Sequence, residues 1–459
     1  MHGMSEKTAT IHFYGGTGAV TGANFLLEVA DKKILIDCGL VQGKDFCDDC
    51  NYQPFPYDPK SIDMLIVTHG HTDHIGRIPR LVRQGFRGAI YSTHPTKDIA
   101  EVMYDDALSL MRSEQRERGK ALLYDTQDIA STLQLWKTKD YHETMEVSPD
   151  IEMQFLDAGH ILGSAMVEFK RGGKKLLFTG DLGNSPAPIV KDTEPIENIQ
   201  YLVMESVYGD RNHEGVENRS ELLKRIIEET RKKNGTLLIP AFSLQRTQTL
   251  LSEINKMVED KEIEPIDVYL DTPLGIKISA IYRKYPEYFN ERITARLNAG
   301  DDPFDFSGLT LTPKSADSRS IASASNPKVI IAGSGMSHGG RIRGHEIRFL
   351  GDKKTTLLFV GYQTVGSLGR RLQEGQKKVN IDDEWVTVRA QIQSIAGYSA
   401  HKEMDQLVAF VEQTAPTLEG VFVVMGEPKS SLFLTQRLRD FLGVHAIAPD
   451  AGASHTIHW

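Results

Sequence analysis

The sequence predicts an α/β protein with more than one domain, and three observations carry that prediction. The chain has 459 residues, more than one hydrophobic core usually organises. Apolar runs of strand length end abruptly in polar residues, as in Leu65-Ile66-Val67 before Thr68-His69, and Leu176-Leu177-Phe178 before Thr179-Gly180-Asp181. In the second half, runs of strand character at 236–240 and 328–332 flank a helical pattern at 247–259, the alternation that builds a parallel sheet.

The most informative run follows Val67. His69, His71, Asp73 and His74 place four ligand-type side chains within six residues. In extended backbone at a strand end, His69 and His71 point to the same side, so both imidazoles reach one cation. Asp73 and His74 follow where the chain turns into a helix at 75–79 and aim at a second point nearby. Imidazole and carboxylate donors at two adjacent points suit a pair of zinc ions.

This His-x-His-x-Asp-His run resembles the signature of the metallo-β-lactamase superfamily, and further motifs of that family occur in order. Lys33-Ile34-Leu35-Ile36-Asp37 matches the first, which implies that Asp37 orients the ligand loop without touching metal. Asp157-Ala158-Gly159-His160 matches the third, making His160 the third imidazole on the first zinc. Phe178-Thr179-Gly180-Asp181 matches the fourth, making Asp181 the carboxylate that bridges the two ions. The resemblance implies an αββα sandwich with its metal loops gathered at strand ends. The glycine-rich stretch from Gly15 to Gly22 is similar to the superfamily's first hairpin; no βαβ unit with a later acidic residue follows it, which argues against a dinucleotide loop.

Later motifs narrow the resemblance to the β-CASP nucleases. Glu205-Ser206-Val207-Tyr208-Gly209 at the end of an apolar run resembles motif A, and Ser399-Ala400-His401 resembles motif B. Between them, Pro240-Ala241-Phe242-Ser243-Leu244-Gln245-Arg246, Leu270-Asp271-Thr272-Pro273, Gly333-Ser334-Gly335-Met336 and Gly361-Tyr362-Gln363 through Arg370 resemble the segments of the inserted domain, in the same order. The implied organisation is a metallo-β-lactamase domain over 1–207, an α/β insertion with a parallel sheet over 208–380, and a return to the first domain over 381–459. Residues 100–146 read as a helical excursion. The implied catalytic group is Asp37, Asp73, Asp181, Glu205 and His401, with His401 protonating the leaving oxygen and Glu205 holding it charged. Ser243, Arg246, Ser367, Arg370 and Ser399 are the expected phosphate contacts.

One motif departs from the pattern. Where the family carries a histidine that binds the second zinc, Val423-Val424-Met425-Gly426-Glu427 has Met425, and a thioether is a poor zinc donor. Two outcomes are open: a weaker second zinc, or a one-metal site. His455 and His458 are expected in a mobile tail, and Arg77, Arg80, Arg83 and Arg87 on a solvated helix face.

Composition bounds the rest. The apolar share of 40% and charged share of 25% are ordinary for a globular protein. No apolar run approaches a membrane span and the N-terminus lacks a signal peptide's pattern, so a cytoplasmic protein without membrane partners is expected. Met1-His2-Gly3 before Met4 reads as an alternative start. Three cysteines, Cys38, Cys47 and Cys50, cannot form a disulfide framework. The Cys47-Asp48-Asp49-Cys50 spacing lacks a second ligand pair nearby and reads as a loop. The net charge of −9 means that a polyanion must be bound by a local basic lining. The expectation is a zinc-dependent ribonuclease, acting as an endonuclease, a 5′-to-3′ exonuclease or both, on single-stranded RNA, with 5′-phosphate and 3′-hydroxyl products; the family also allows a homodimer. Two alternatives stand beside it: a pseudo-nuclease RNA-binding subunit, favoured by Met425, and a DNA-processing β-CASP nuclease.

Overall fold

The computed structural model describes residues 7–42, 48–212, 218–364 and 366–459. Met1-His2-Gly3 and Cys47 fall outside these, and with Cys47 the expectation for its pair with Cys50. The chain divides into two compact units: Met1–Asn212 with His401–Trp459, and His213–Ala400.

The first unit is built on two seven-stranded sheets. In one, the spatial order is Ser454–Ile457, Ala9–Gly15, Asn24–Val29, Lys32–Ile36, Met64–Ile66, Ala89–Ser92 and Trp136–Thr138. In the other it is Ala446–Ile447, Gly420–Val424, Tyr201–Glu205, Lys174–Phe178, Ala165–Arg171, Ile151–Asp157 and Met145–Ser148. Side chains alternate along each strand. Phe25, Leu27 and Val29 therefore join Phe155, Val167, Phe178 and Val203 in a core between the sheets. Leu26 turns the other way, into a core with Leu65, Ile78, Leu81, Tyr104 and Ile129 under an outer helix layer. On the far face of the second sheet, Met166, Leu177 and Leu202 pack with Leu407, Phe410, Leu434 and Leu438 of the helices Met404–Glu412 and Pro428–Leu442. This is the αββα layering.

Each sheet has an antiparallel and a parallel half, and the parallel halves position the site. Ile36 is in register with Ile66, Phe178 with Val203, and Glu205 with Val424. Parallel strands in register end together, so the residues that follow them emerge at one edge.

Several expectations change here. The helical excursion is real over His94–Arg118 and Thr126–Leu135, the latter started by a capping box between Asp125 and Asp128. Its end holds two short strands, Trp136–Thr138 and Met145–Ser148, one at the edge of each sheet. The tail is not mobile: Ser454–Ile457 pairs antiparallel with Ala9–Gly15, and the His455 ring lies 5.9 Å from Phe13 and 5.4 Å from Phe422. Strand pairing across more than 440 residues of sequence, Thr10 with Thr456, has no local signature. Arg77 and Arg80 are buried rather than solvated. Arg77 Nε donates to Gly39 O at 2.6 Å, and Arg80 donates to the carbonyls of Asn51 and Tyr52, each guanidinium also covering the Phe55 ring.

The second unit holds a six-stranded sheet in the order Leu309–Leu311, Asp267–Asp271, Lys328–Ala332, Thr236–Pro240, Thr356–Phe359 and Gln391–Ser394, paired in parallel throughout. The helix Arg246–Glu259 follows Thr236–Pro240. Leu238, Ile330 and Leu357 pack with Ile342, Leu350, Leu368 and Leu372 on one face of the sheet. The return of the chain expected after 380 comes later. The hairpin Lys378–Ile381 and Glu384–Thr387 contributes Val379, Ile381 and Val386 to this core, and Gln391–Ser394 is its edge strand. That strand has no buried side chain, which left its sheet membership without an apolar pattern. Among the described residues, no helix is long and apolar enough to cross a membrane.

Candidate metal centre

After the strand Met64–Ile66 the chain bends at Gly70 and is extended again at His71 (φ −70°, ψ 147°), the residue before the one-turn helix Thr72–Ile75. His69 and His71 thus precede the helical turn to which Asp73 and His74 already belong. His160 enters on the loop after Ile151–Asp157, and Asp181 on the loop after Lys174–Phe178.

Ligand atoms of His69, His71, His160 and Asp181 all lie within 4.8 Å of one another. His71 Nδ1 is 3.0 Å from His69 Nε2 and 3.3 Å from His160 Nε2. Asp181 Oδ2 is 3.4 Å from His69 Nε2 and 3.7 Å from His160 Nε2. A tetrahedral zinc with bonds of about 2.0–2.1 Å has donor-to-donor edges of roughly 3.3–3.4 Å. The donor set therefore fits zinc in both chemistry and spacing. Burial, and then the neighbouring imidazoles, hold His71 and His160 well below the usual histidine range, so both are neutral and carry the lone pairs a cation needs.

His74 faces a second point. Its Nδ1 is 2.7 Å from Asp37 Oδ2, which fixes the ring proton there and turns Nε2 inward. Nε2 lies 3.3 Å from Asp181 Oδ1 in a buried ion pair in which neither atom makes a hydrogen bond; burial would lower the His74 pKa, but the carboxylates of Asp181 and Asp37 raise it well above the usual range. A second cation at this point would take the place of the ring proton between them. Asp73 stands half-buried beside them, its carboxyl pushed up by burial, but it is not in the four-residue cluster. Asp37 reaches further than the loop: its two oxygens take Thr68 N and Thr68 Oγ1, each at 2.8 Å, and Oδ2 also takes His74.

Glu205 and His401 adjoin the cluster through Asp181. Glu205 is fully buried, accepts Leu182 N at 2.6 Å on Oε1, and sets the same oxygen 3.2 Å from His401 Nδ1. Burial alone would lower the pKa of His401. The charge and hydrogen bond of Glu205, with Asp181 beyond, carry it up to about 9 instead. Its ring centroid is 4.5 Å from that of His160.

Met425 occupies the strand end next to Glu205, in the left-handed region (φ 49°), and its side chain belongs to the core between the sheets. It lines a cavity of about 10 Å³ together with His74, Asp37, Thr68 and Gly180, space for roughly one water. Gly16 lies against it: a Cβ there would come 2.4 Å from the sulfur. His455 packs with Phe13 and Phe422 in the sheet, away from any substitute role as a ligand.

The expected phosphate contacts all lie in the second unit, and several have internal partners. Ser243 Oγ is 2.9 Å from Thr272 Oγ1, and Arg246 donates to Val360 O at 2.7 Å while lying over Tyr398. Ser367 caps the helix Leu368–Gln373, and Arg370 pairs with Glu374 at 2.8 Å. Ser399 is half-buried.

Three residues at the centre have roles that the sequence did not assign. Thr68 joins Asp37 to His69 Nδ1 at 3.0 Å, and its place just before the first ligand histidine was the available signal. Lys402, buried next to His401, donates to Gly183 O at 2.8 Å. Asp157 accepts Gly159 N at 2.8 Å and so shapes the turn that carries His160; burial pushes its carboxyl up to about 7.

Comparison with known proteins identifies the family and the fold. Family models match for the metallo-beta-lactamase superfamily over residues 17–225, the Beta-Casp domain over 247–372, and the Zn-dependent metallo-hydrolase RNA specificity domain over 385–449. Ribonuclease TTHA0252 of Thermus thermophilus is 32% identical over 425 residues, covering 93% of this chain and 95% of the relative. Transcription termination factor FttA of Methanosarcina mazei is 32% identical over 92% of this chain and 67% of the relative. The factor of the same name from Methanocaldococcus jannaschii is 30% identical over 94% and 68%. A crystal structure of a protein of unknown function from Enterococcus faecalis V583 shares the fold, with a TM-score of 0.57 at 13% identity over 98% of this chain and all of that one.

Proposed function

The chain belongs to the beta-CASP branch of the metallo-beta-lactamase superfamily and is a metal-dependent hydrolase, and from that premise we propose that it is a zinc ribonuclease cleaving single-stranded RNA to 5′-phosphate and 3′-hydroxyl ends. The observation that carries this reading is the convergence of His69, His71, His160 and Asp181 within 4.8 Å, with the Glu205–His401 pair on the same aspartate. The ribonuclease name of the Thermus relative, matched over 95% of its length, supports RNA as the substrate.

In this reading His69, His71 and His160 would hold the first zinc, Asp181 would be shared with a second, and Asp73 and His74 would complete that second position. When bound, zinc supplies Lewis-acid polarisation and a nucleophile available at neutral pH. Asp37 keeps His74 Nε2 directed inward, and Thr68 keeps Asp37 in place. His401, protonated at neutral pH because Glu205 opposes its burial, delivers a proton to the departing 3′ oxygen. Glu205 has both oxygens occupied by backbone N–H groups of Leu182 and Val207 and so cannot swing away from His401.

The test is zinc per chain and cleavage of 5′- and 3′-labelled single-stranded RNA, beside the His401→Ala variant. Bound zinc, with cleavage lost in the variant, is the expected result, and the labels separate endonuclease from exonuclease action. RNA bound but left intact after zinc or manganese is added would overturn it. A second reading, an RNA-binding subunit without turnover, rests on Met425: at the second position His74 Nε2 and Asp181 Oδ1 stand without an imidazole from motif C.

A further inference from the structure

The hairpin Lys378–Ile381 and Glu384–Thr387 carries the one exposed tryptophan of the chain. Of three tryptophans, Trp136 and Trp459 are 4% and 2% exposed, whereas Trp385 is 66% exposed. The hairpin is a rigid support: Asp382 and Asp383 both take positive φ (49° and 66°) in its two-residue turn, and Arg343 holds Asp382 at 2.7 Å. Alternation buries Val379, Ile381 and Val386 and puts Lys378, Asn380, Trp385 and Thr387 on the outer face, where Asn380 pairs with Trp385 and Lys378 with Thr387. Beyond Thr387 the strand ends: Val388 is buried, and Arg389 is exposed with its backbone N–H bonded to Leu350 O.

We propose that this face is a stacking platform for a base of single-stranded RNA; the inference rests on the reading of the chain as RNA-binding. Two features select that partner. Lys378 Nζ lies 5.2 Å from the Trp385 ring centroid, joining a π surface to a positive charge. By alternation the outer face carries the cation Lys378, while the hairpin's exposed carboxylates, Asp382, Asp383 and Glu384, lie at the turn and off that alternation, Asp382 paired with Arg343. A flat ring beside a lysine takes any base by its π face and an adjoining phosphate by charge. A protein partner would call for further apolar groups around the ring, and the neighbours here are Asn380, Thr387 and Lys378.

Because the other two tryptophans are buried, intrinsic fluorescence reads this face directly. Titrating the full chain carrying His401→Ala, which spares the RNA, with a short oligo(U) RNA should quench tryptophan emission saturably, with affinity falling as salt rises. Adding Trp385→Ala should abolish the quench and weaken filter-measured binding about tenfold, within the range for losing one stacked base. Trp385→Phe should lose the signal and keep most of the affinity. An unchanged thermal melt shows that these surface variants fold. RNA retained with no quench, and equally by Trp385→Ala, would overturn the platform while leaving the RNA reading intact. No RNA retained even at low salt would overturn the RNA reading, and the platform with it. Emission that shifts with protein concentration alone would assign the face to self-association and overturn the proposal.

Discussion

Asp271 in the second unit and Asp181 in the first are both buried carboxylates with imidazole in reach, and the two differ in what their neighbours bring. Asp271, fully buried in the second unit, accepts Thr312 Oγ1 at 2.8 Å and Arg341 at 2.6 Å on Oδ1, and Ser318 Oγ at 2.6 Å and His345 Nε2 at 2.7 Å on Oδ2. Burial would raise its pKa, but these donors hold it down at about 2. Asp181, 3% exposed in the first unit, is ringed by imidazoles, with His69 Nε2 and His160 Nε2 3.4 and 3.7 Å from Oδ2 and His74 Nε2 3.3 Å from Oδ1, which makes no hydrogen bond. Hydroxyl and guanidinium donors bring their own protons and close a network; imidazoles crowded around a carboxylate hold together only with a proton or a metal ion between them. Residue types alone do not separate a structural knot from a metal centre, whereas the direction of the unpaired atoms does.

The contrast predicts opposite responses to losing the aspartate. Asp181→Ala should abolish RNA cleavage and lower the zinc content of a chain that still folds, measured by metal analysis beside circular dichroism; full zinc content with normal turnover would sink the assignment. Asp271→Ala should leave zinc content unchanged but destabilise the second unit by about 3–5 kcal/mol, the usual effect of stripping one partner from a buried charged network. Denaturant unfolding checks this, and a loss of zinc there would erase the contrast.

A pH experiment sharpens the same comparison within the second unit. Burial, against the hydrogen bond from Ser337, raises the Glu346 carboxyl from 4.5 to about 8, and its Oε2 lacks a partner. Between those two values the folded chain binds more protons than the unfolded one, so stability falls as pH rises through the window and levels off above it. Glu346→Gln should remove that slope and gain up to a few kcal/mol on the parent at pH 8; parallel stability curves from pH 5 to 8 would refute the assignment.

The smallest effect expected is at the second metal position. Met425→His places an imidazole on the strand end beside Glu205, next to the cavity shared with His74. Zinc should then resist chelator at a higher concentration, with little change at the first position. Unchanged zinc release would mean that the left-handed backbone at residue 425 directs a side chain away from Asp181.

Much of the centre was legible because its ligands are local. His69 to His74 lie in one strand-to-helix turn, and the strand before them is apolar enough to announce where it ends. Asp37, His160, Asp181, Glu205 and His401 could be located because each lies in or at the end of a short motif. The arginines after the loop misled: Arg80, Arg83 and Arg87 have the spacing of a solvated face, yet Arg80 is buried because the carbonyls of Asn51 and Tyr52, distant in sequence, need its donors.

By itself, then, the sequence determined that short strands end in ligand loops, which residue types could hold metal, and that Met425 interrupts the set, since these depend on local periodicity and side-chain chemistry. Only the tertiary structure decided which ring nitrogens converge, that Asp37 locks His74, that His455 belongs to a strand, and that the inserted unit extends to Ala400. Those outcomes turn on pairings between segments far apart in the chain, whose hydrogen-bonding groups look alike until the folded backbone brings particular ones within about 3 Å.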